Sequence, residues 1–330
     1  MHAMPQPDPI PMPVSPPVRP VVSILVISYN TREMTLDCLR SVREQTSVPH
    51  ELIVLDNASS DGSAAAIAAE FPDVMLLAEQ VNHGFAKANN IAATHAKGEY
   101  LLLLNPDTVV LDGALDKLLA FARKTPEARI WGGRTVFADG SLNAASCWRR
   151  MTLWSVICGT TGLSAVFRNT PFFNPEGYGG WDRSTERQVD IVTGCLFLIS
   201  RADWDALGGF DPVFFMYGEE ADLCLRAEAQ IGAKPRVTPE AVIIHYNGAS
   251  QQVRSDKMVR LLRAKHDLIQ RHFPAWQRPI ASALFALQPA VRSRAFALMS
   301  RLGLRKGAGE QARVWGEIWD RRAEWRMGHV

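Results

Sequence analysis

Between Val21 and Leu104, four short apolar runs are separated by stretches whose apolar residues recur at helical spacing. That alternation is the pattern of β-α units on a largely parallel sheet, and few other architectures accommodate it. The strands it predicts are Val22–Ile27, Leu52–Leu55, Val74–Leu77 and Tyr100–Leu104, and the helices are Thr31–Glu44, Gly62–Glu70 and Gly84–His95. Asp61 and Asn82 stand where helix starts need a side-chain acceptor. Four such steps in about 85 residues make a compact nucleotide-binding half, 21–131. From about Gly132 the pattern loosens, and the Gly- and aromatic-rich stretch from Cys147 to Trp181 reads as loops over an acceptor site. Order returns with the apolar run Ile191–Ser200, a turn at Gly208-Gly209, a helix from about Glu219 and a strand near Val242–His245.

Nearly half of the 330 residues are apolar, enough to bury one large core with a smaller helical appendage. A formal net charge of +2 leaves no basic stripe of the kind nucleic acid demands, so nucleic acid is excluded as a partner. Cys38, Cys147, Cys158, Cys195 and Cys224 form no C-x-x-C pair and sit in apolar contexts, as reduced thiols of a cytoplasmic protein do. No stretch approaches the roughly 20 apolar residues that cross a bilayer, and no secretory signal is seen. Residues 1–20 alternate proline with small residues and are expected to be a disordered leader.

Chemistry concentrates in four places. The first strand ends in Ser28-Tyr29-Asn30 and the second in Asp56-Asn57-Ala58-Ser59-Ser60-Asp61-Gly62; ligands of open α/β sheets bind beyond such strand ends. Neither G-x-G-x-x-G nor G-x-x-x-x-G-K-[ST] follows the first strand, against a dinucleotide or P-loop site. The buried run Leu101–Leu104 stops at Asn105-Pro106-Asp107, which delivers a carboxylate to the sheet edge, where a divalent cation (Mg²⁺ or Mn²⁺) can be held against a diphosphate. Asn105 can contact ribose or metal-bound water. Glu219, Glu220 and Asp222 crowd one helical turn, repelling one another and raising their pKa values, as suits a proton acceptor. Asp222 has Arg226 four residues on as an ion-pair partner, whereas Glu220 has none in sequence. His245 ends an apolar strand and can ligate the same cation through a neutral ring nitrogen.

Taken in order, S-Y-N, D-N-A-S-x-D-G, N-x-G-F-A-x-A-N-N at Asn82–Asn90, L-N-P-D, the T-G-C run at Thr193–Cys195, G-G-F-D, F-F-M-Y-x-E-E-x-D-L-C-x-R and the histidine before G-x-S resemble the inverting GT-A glycosyltransferases of family 2, in their bacterial rhamnosyltransferase-like branch. The likeness covers residues 22–250. It implies a GT-A nucleotide-diphospho-sugar transferase fold, α/β, with a mostly parallel central sheet flanked by helices. It implies a donor site drawn from Ser28, Tyr29, Asn30, Asp56, Asn82, Gly84, Lys87, Asn90, Asn105 and Asp107, a metal held by Asp107 and His245, and a base at Glu220, with Glu219 the alternative. Two departures stand out: Asn105 replaces the first acid of the family's D-x-D, and Glu220 replaces its aspartate. The donor implied is a dTDP- or UDP-sugar, with rhamnose favoured, and the acceptor a glycan or glycolipid.

A sugar-phosphate nucleotidyltransferase would need a glycine in its phosphate loop, and residues 28–34 contain none. Gln251-Gln252-Val253-Arg254-Ser255 is similar to the Q-x-x-R-W of processive synthases but carries serine for tryptophan. A non-catalytic carbohydrate-binding scaffold is opposed by the intact acids. From Gln251 onward basic residues outnumber acidic ones, and residues 251–330 read as a basic amphipathic helical extension that either rests on an anionic membrane surface or packs on the catalytic domain or a second subunit.

Overall fold

The computed structural model describes residues 19–246 and 254–328. Residues 1–18 of the proline-rich leader, and 247–253 with the G-x-S string and the Gln251-Gln252-Val253 part of the pentapeptide, lie outside the described residues. Strands β1 (Val22–Ser28), β2 (His50–Asn57), β3 (Met75–Glu79) and β4 (Tyr100–Leu104) alternate with helices α1 (Arg32–Gln45), α2 (Ser63–Glu70) and α3 (Gly84–His95). Each expected element is present, its ends moved by a residue or two at most. β1 and β2 run on into polar residues because their parallel ladder continues through Ser28 opposite Asp56. Alternate side chains of β1 enter different cores: Ile24 and Val26 meet α1 on one face, and Leu25 and Ile27 meet α3 on the other. A sheet covered on both faces explains why these runs are apolar throughout.

Beyond β4 come β5 (Thr108–Val110), α4 (Ala114–Lys124) and β6 (Ile130–Val136). Two-residue pairings follow at β7 (Leu142–Asn143), β8 (Cys147–Trp148), β9 (Arg187–Gln188) and β10 (Ile191–Val192), around α5 (Leu153–Thr161) and α6 (Leu163–Val166). The stretch expected to be loops thus contains two helices. The missed signal was Thr152-Leu153-Trp154-Ser155: Thr152 Oγ1 accepts from the Ser155 N–H at 3.1 Å and Ser155 Oγ from the Thr152 N–H at 2.9 Å, a reciprocal cap. The apolar run from Ile191 is broken by Thr193-Gly194-Cys195 before β11 (Leu196–Ser200), and α7 (Arg201–Leu207), α8 (Glu219–Ile231) and β12 (Arg236–His245) follow.

Strand order is β3-β2-β1-β4-β11-β6-β12-β5. β1 to β4 pair in parallel, β11 is antiparallel to both its neighbours, and β12 is parallel to β6. The reversal of β11 sets Leu196 opposite Leu104, so Thr193-Gly194-Cys195 lies beside Asn105, whose N–H donates to the Cys195 carbonyl at 3.3 Å. His245, at the end of β12, lies opposite Thr108. One edge of the sheet therefore collects Tyr29, Asn57, Asn105, Asp107, Cys195 and His245.

Helices α9 (Arg254–His272), α10 (Arg278–Arg301), α11 (Ala308–Asp320) and α12 (Arg322–Trp325) build a separate core around Ile269, Phe285, Ile318 and Trp325, shared with Val156 of α5. α9 is fastened to α8 through Asp222. Its Oδ2 accepts from Arg226 Nε at 2.7 Å, and its Oδ1 lies 2.9 Å from His272 Nε2 and 3.4 Å from Arg271 Nη1. Burial pushes the Asp222 carboxyl up, but hydrogen bonds to His272 and Arg226 outweigh it and hold the group below its usual range. Asp222→Ala is expected to lower unfolding stability at neutral pH by about 2–3 kcal/mol, because it removes the buried carboxylate that Arg226, Arg271 and His272 share, although the arginines keep other partners. Urea denaturation checks this, and a loss under about 1 kcal/mol would show the network to be idle.

Candidate active site

The N-terminus of α3 is held where Asn57 reads both sides of the chain. Its Oδ1 accepts from the His83 N–H at 2.8 Å, and its Nδ2 donates to the Asn82 side chain at 3.0 Å and the Gly84 carbonyl at 3.1 Å. Gly84 has φ +75°, and a Cβ there would lie 2.2 Å from the Phe215 carbonyl oxygen, which the Phe85 N–H meets at 2.7 Å. Only glycine admits this approach. It fixes the loop before α8 against the start of α3. That loop turns through Tyr217 and Gly218, both with positive φ, so that α8 begins abruptly at Glu219.

A cavity of about 750 Å³ occupies the collected sheet edge. Tyr29, Asn57, Asn82 and Gly84 line it, with Asn105, Asp107 and His245 from the strand ends and Phe215 to Ala221 from the start of α8. Trp148, Arg149 and Met151 contribute as well, and α9 adds Lys257, Arg260 and Lys265. Sequence periodicity gave no sign that α9 walls the cavity; it arrives through tertiary packing, with Arg260 over the Phe215 ring at 5.7 Å and Lys265 paired to Glu176 at 2.9 Å.

Asp107 Oδ1 and His245 Nε2 are 3.4 Å apart, and the Asn105 amide nitrogen is 3.4 Å from the same ring nitrogen. Burial opposes charge on His245, but the Cys195 sulfur and the Asp107 carboxylate beside it outweigh burial and raise its pKa to about 10. Asn105 Oδ1 is buried with no hydrogen-bond partner among the described residues. A carboxylate and an amide oxygen left over for a ligand, with an imidazole nitrogen that must give up its proton to ligate, fit a Mg²⁺ or Mn²⁺ that takes its remaining positions from phosphate and water. Among the described residues no cluster of three His, Cys, Asp or Glu side chains could hold a metal, which agrees with asparagine at 105.

Glu219 is buried, and Glu220 is partly exposed beside it. Burial raises the Glu219 carboxyl well above its usual range, with the Glu220 charge adding to the effect, and burial raises Glu220 too. Each keeps one carboxyl oxygen, Oε2, with no partner among the described residues. The pair can therefore hold a proton on one carboxyl and take up another on its neighbour.

The model of the family described as "Glycosyl transferase family 2" matches residues 23–201. The chain belongs to glycosyltransferase family 2. Among curated relatives of this glycosyltransferase, an O-antigen biosynthesis protein of Myxococcus xanthus is 31% identical over 74% of this chain, which spans 19% of that longer protein. An N-acetylglucosaminyl-diphospho-decaprenol L-rhamnosyltransferase of Mycobacterium tuberculosis is 28% identical over 87% of this chain and 95% of its own length. In fold the glycosyltransferase is similar to the mannosyltransferase of Pyrobaculum calidifontis solved with GDP-Man and Mn²⁺, at a TM-score of 0.57 and 20% identity over 96% of this chain and 90% of that one. That likeness makes the fold GT-A, as the sequence motifs implied.

Of the donor-site residues expected in this glycosyltransferase, Tyr29, Asn82, Gly84, Asn105 and Asp107 line the cavity, and Ser28, Asn30, Asp56, Lys87 and Asn90 do not. Ser28 points into a buried hydroxyl cluster with Thr31 and Thr35. Asn30 accepts from the Ser60 N–H at 2.8 Å, stapling two strand-end loops together. Asn90 clamps both the N–H and the carbonyl of Phe210, at 3.0 and 2.8 Å, and Lys87 is exposed on the outer face of α3. Asp56 is buried next to Asn57; its Oδ2 accepts from the Ser59 N–H at 3.0 Å, and its Oδ1 has no partner among the described residues. Asp222, named with the acids, belongs to the ion network and not to the cavity wall.

Proposed function

We propose that this enzyme transfers a sugar from a dTDP- or UDP-sugar to a hydroxyl of a lipid-linked glycan, inverting the anomeric centre. The observation that carries the reading is the single cavity shared by Asp107 and His245 with the Glu219–Glu220 pair. Asp107, His245 and the Asn105 amide oxygen would hold a divalent cation, Mg²⁺ or Mn²⁺, which when bound supplies the positive charge that a departing diphosphate needs. Tyr29 lines the cavity and offers a ring against which a base can stack, and Asp56 Oδ1, near the end of β2 but not on the cavity lining, is left as an acceptor for a base N–H or ribose hydroxyl. Glu220 takes the proton of the acceptor hydroxyl as that oxygen bonds to the anomeric carbon. The bond from that carbon to the diphosphate oxygen breaks in the same displacement, so configuration inverts. Glu219 keeps its proton and holds down the negative charge around Glu220.

The choice of rhamnose and of a diphospholipid acceptor is supported by the name of the Mycobacterium tuberculosis relative. Arg149, Lys257 and Arg260 suit an anionic acceptor of that kind, since all three line the cavity. A thermal-shift screen against dTDP-, UDP- and GDP-sugars tests the donor class, because a ligand that binds only the native state raises apparent stability. dTDP- or UDP-rhamnose is expected to raise the midpoint only with Mg²⁺ or Mn²⁺ present. Stabilisation by GDP-sugars alone would overturn the donor assignment, and a product that retains the donor's anomeric configuration would overturn inversion.

A further inference from the structure

Helix α10 is apolar on two sides. Ala281 and Phe285 enter the C-terminal core. On another side Ile280, Leu287, Val291, Leu298 and Leu302 recur every four or seven residues along one stripe, with Leu287 47%, Leu298 57% and Leu302 61% exposed. α5 packs alongside, the Thr160 hydroxyl donating to the Leu284 carbonyl at 3.1 Å. The chain after α5 presents Val166, Phe167 and Phe172, the last 63% exposed, and Phe172 stacks near Trp154 at 5.0 Å. Large apolar side chains exposed in such number on neighbouring segments call for a partner other than water.

The two segments that carry this surface bear charge of one sign. Residues 152–175 and 268–309 contain no aspartate or glutamate, while Arg168, Arg294, Arg301, Arg305 and Lys306 are exposed within them. A second copy of the chain would set arginine against arginine, and an acidic, amphiphilic surface would not. Among the described residues no helix is long and apolar enough to cross a membrane, and α10 carries four arginines. We propose that α10 and the segment from Trp154 to Phe172 dock on an anionic lipid bilayer, the apolar stripe at the level of the acyl chains and the arginines at the phosphates. Met151 lines the cavity and also packs on the C-terminal core that α10 completes, so α10 and the cavity share a packed neighbour. The inference rests on surface composition and is independent of the donor and acceptor proposed above; a failed transfer assay leaves it intact.

The test is co-sedimentation of the full chain with phosphatidylglycerol-containing vesicles and with pure phosphatidylcholine vesicles across a salt series. Binding to the anionic vesicles is expected, fading as salt rises. The double variant Leu287→Glu, Leu298→Glu changes only exposed positions and should keep the wild-type circular dichroism and melting midpoint while binding at least about tenfold more weakly; Arg301→Glu with Arg305→Glu should lose the preference for anionic lipid. The proposal is overturned if the wild-type chain stays in the supernatant with both vesicles, or if the leucine variant binds as well as wild type. It is also overturned if the leucine variant abolishes a dimer in a chain that ignores lipid, for the face would then be a subunit contact.

Discussion

Glu220→Gln is expected to lower turnover by about a hundredfold or more with little change in donor affinity, the loss typical of removing a general base. The substitution is nearly isosteric and leaves α8 capped as before, so the effect should fall on kcat. Of two adjacent carboxyls, the one whose pKa is raised further keeps the proton. Glu219 is raised by burial and by the charge of its neighbour, and Glu220 by burial. Glu219→Gln removes a group that is already neutral and should cost less than about tenfold. Because the Glu220 pKa is raised, it is protonated and unable to accept below that pKa. The rate should therefore climb with pH through a limb lying above the ordinary carboxylate range, and in the Glu220→Gln variant that limb should be gone. Were Glu219→Gln to show the hundredfold loss and the missing limb, the two roles would be exchanged.

Asp107→Ala should reduce transfer by about a thousandfold, since several kcal/mol of leaving-group stabilisation depend on the cation it holds and each 1.36 kcal/mol is tenfold. The fold should survive, for although the pair with His245 is lost, a main-chain link still ties this turn to the end of β12: the Tyr246 N–H donates to the Asp107 carbonyl at 3.0 Å. Donor binding measured by calorimetry with Mn²⁺ and with EDTA supplies a second readout. The native enzyme should lose affinity in EDTA and the variant should show little difference between the two. Full native activity in excess EDTA would end the metal assignment.

The first four β-α steps were legible because their signals are local. A strand apolar on both faces, such as Leu101–Leu104, followed by Asn-Pro-Asp fixes where the chain turns and which acid sits at the edge. The same holds for Asp222 and Arg226, whose i,i+4 spacing predicted the 2.7 Å pair. What was hidden came through packing between distant segments. Asn90 carries the same amide whether it meets a ligand or clamps a backbone, and only the arrival of Phe210 from 120 residues away decides. Lys257 and Arg260 looked like the solvated face of an amphipathic helix until α9 was seen against the cavity. Cys195 lies near His245 because β11 runs against its neighbours, a reversal that an apolar run does not encode.

The Asp222 network has a bearing on how enzymes of this build can be recombined. A chimera that takes its last four helices from another parent inherits new residues at 271 and 272 but keeps the carboxylate they answer to, 1% exposed, on α8. The crossover point that looks natural, the stretch before α9, cuts through that arrangement. A swap made there should yield protein that expresses poorly whatever its acceptor preference, whereas a swap that moves Asp222, Arg226, Arg271 and His272 together carries the joint intact.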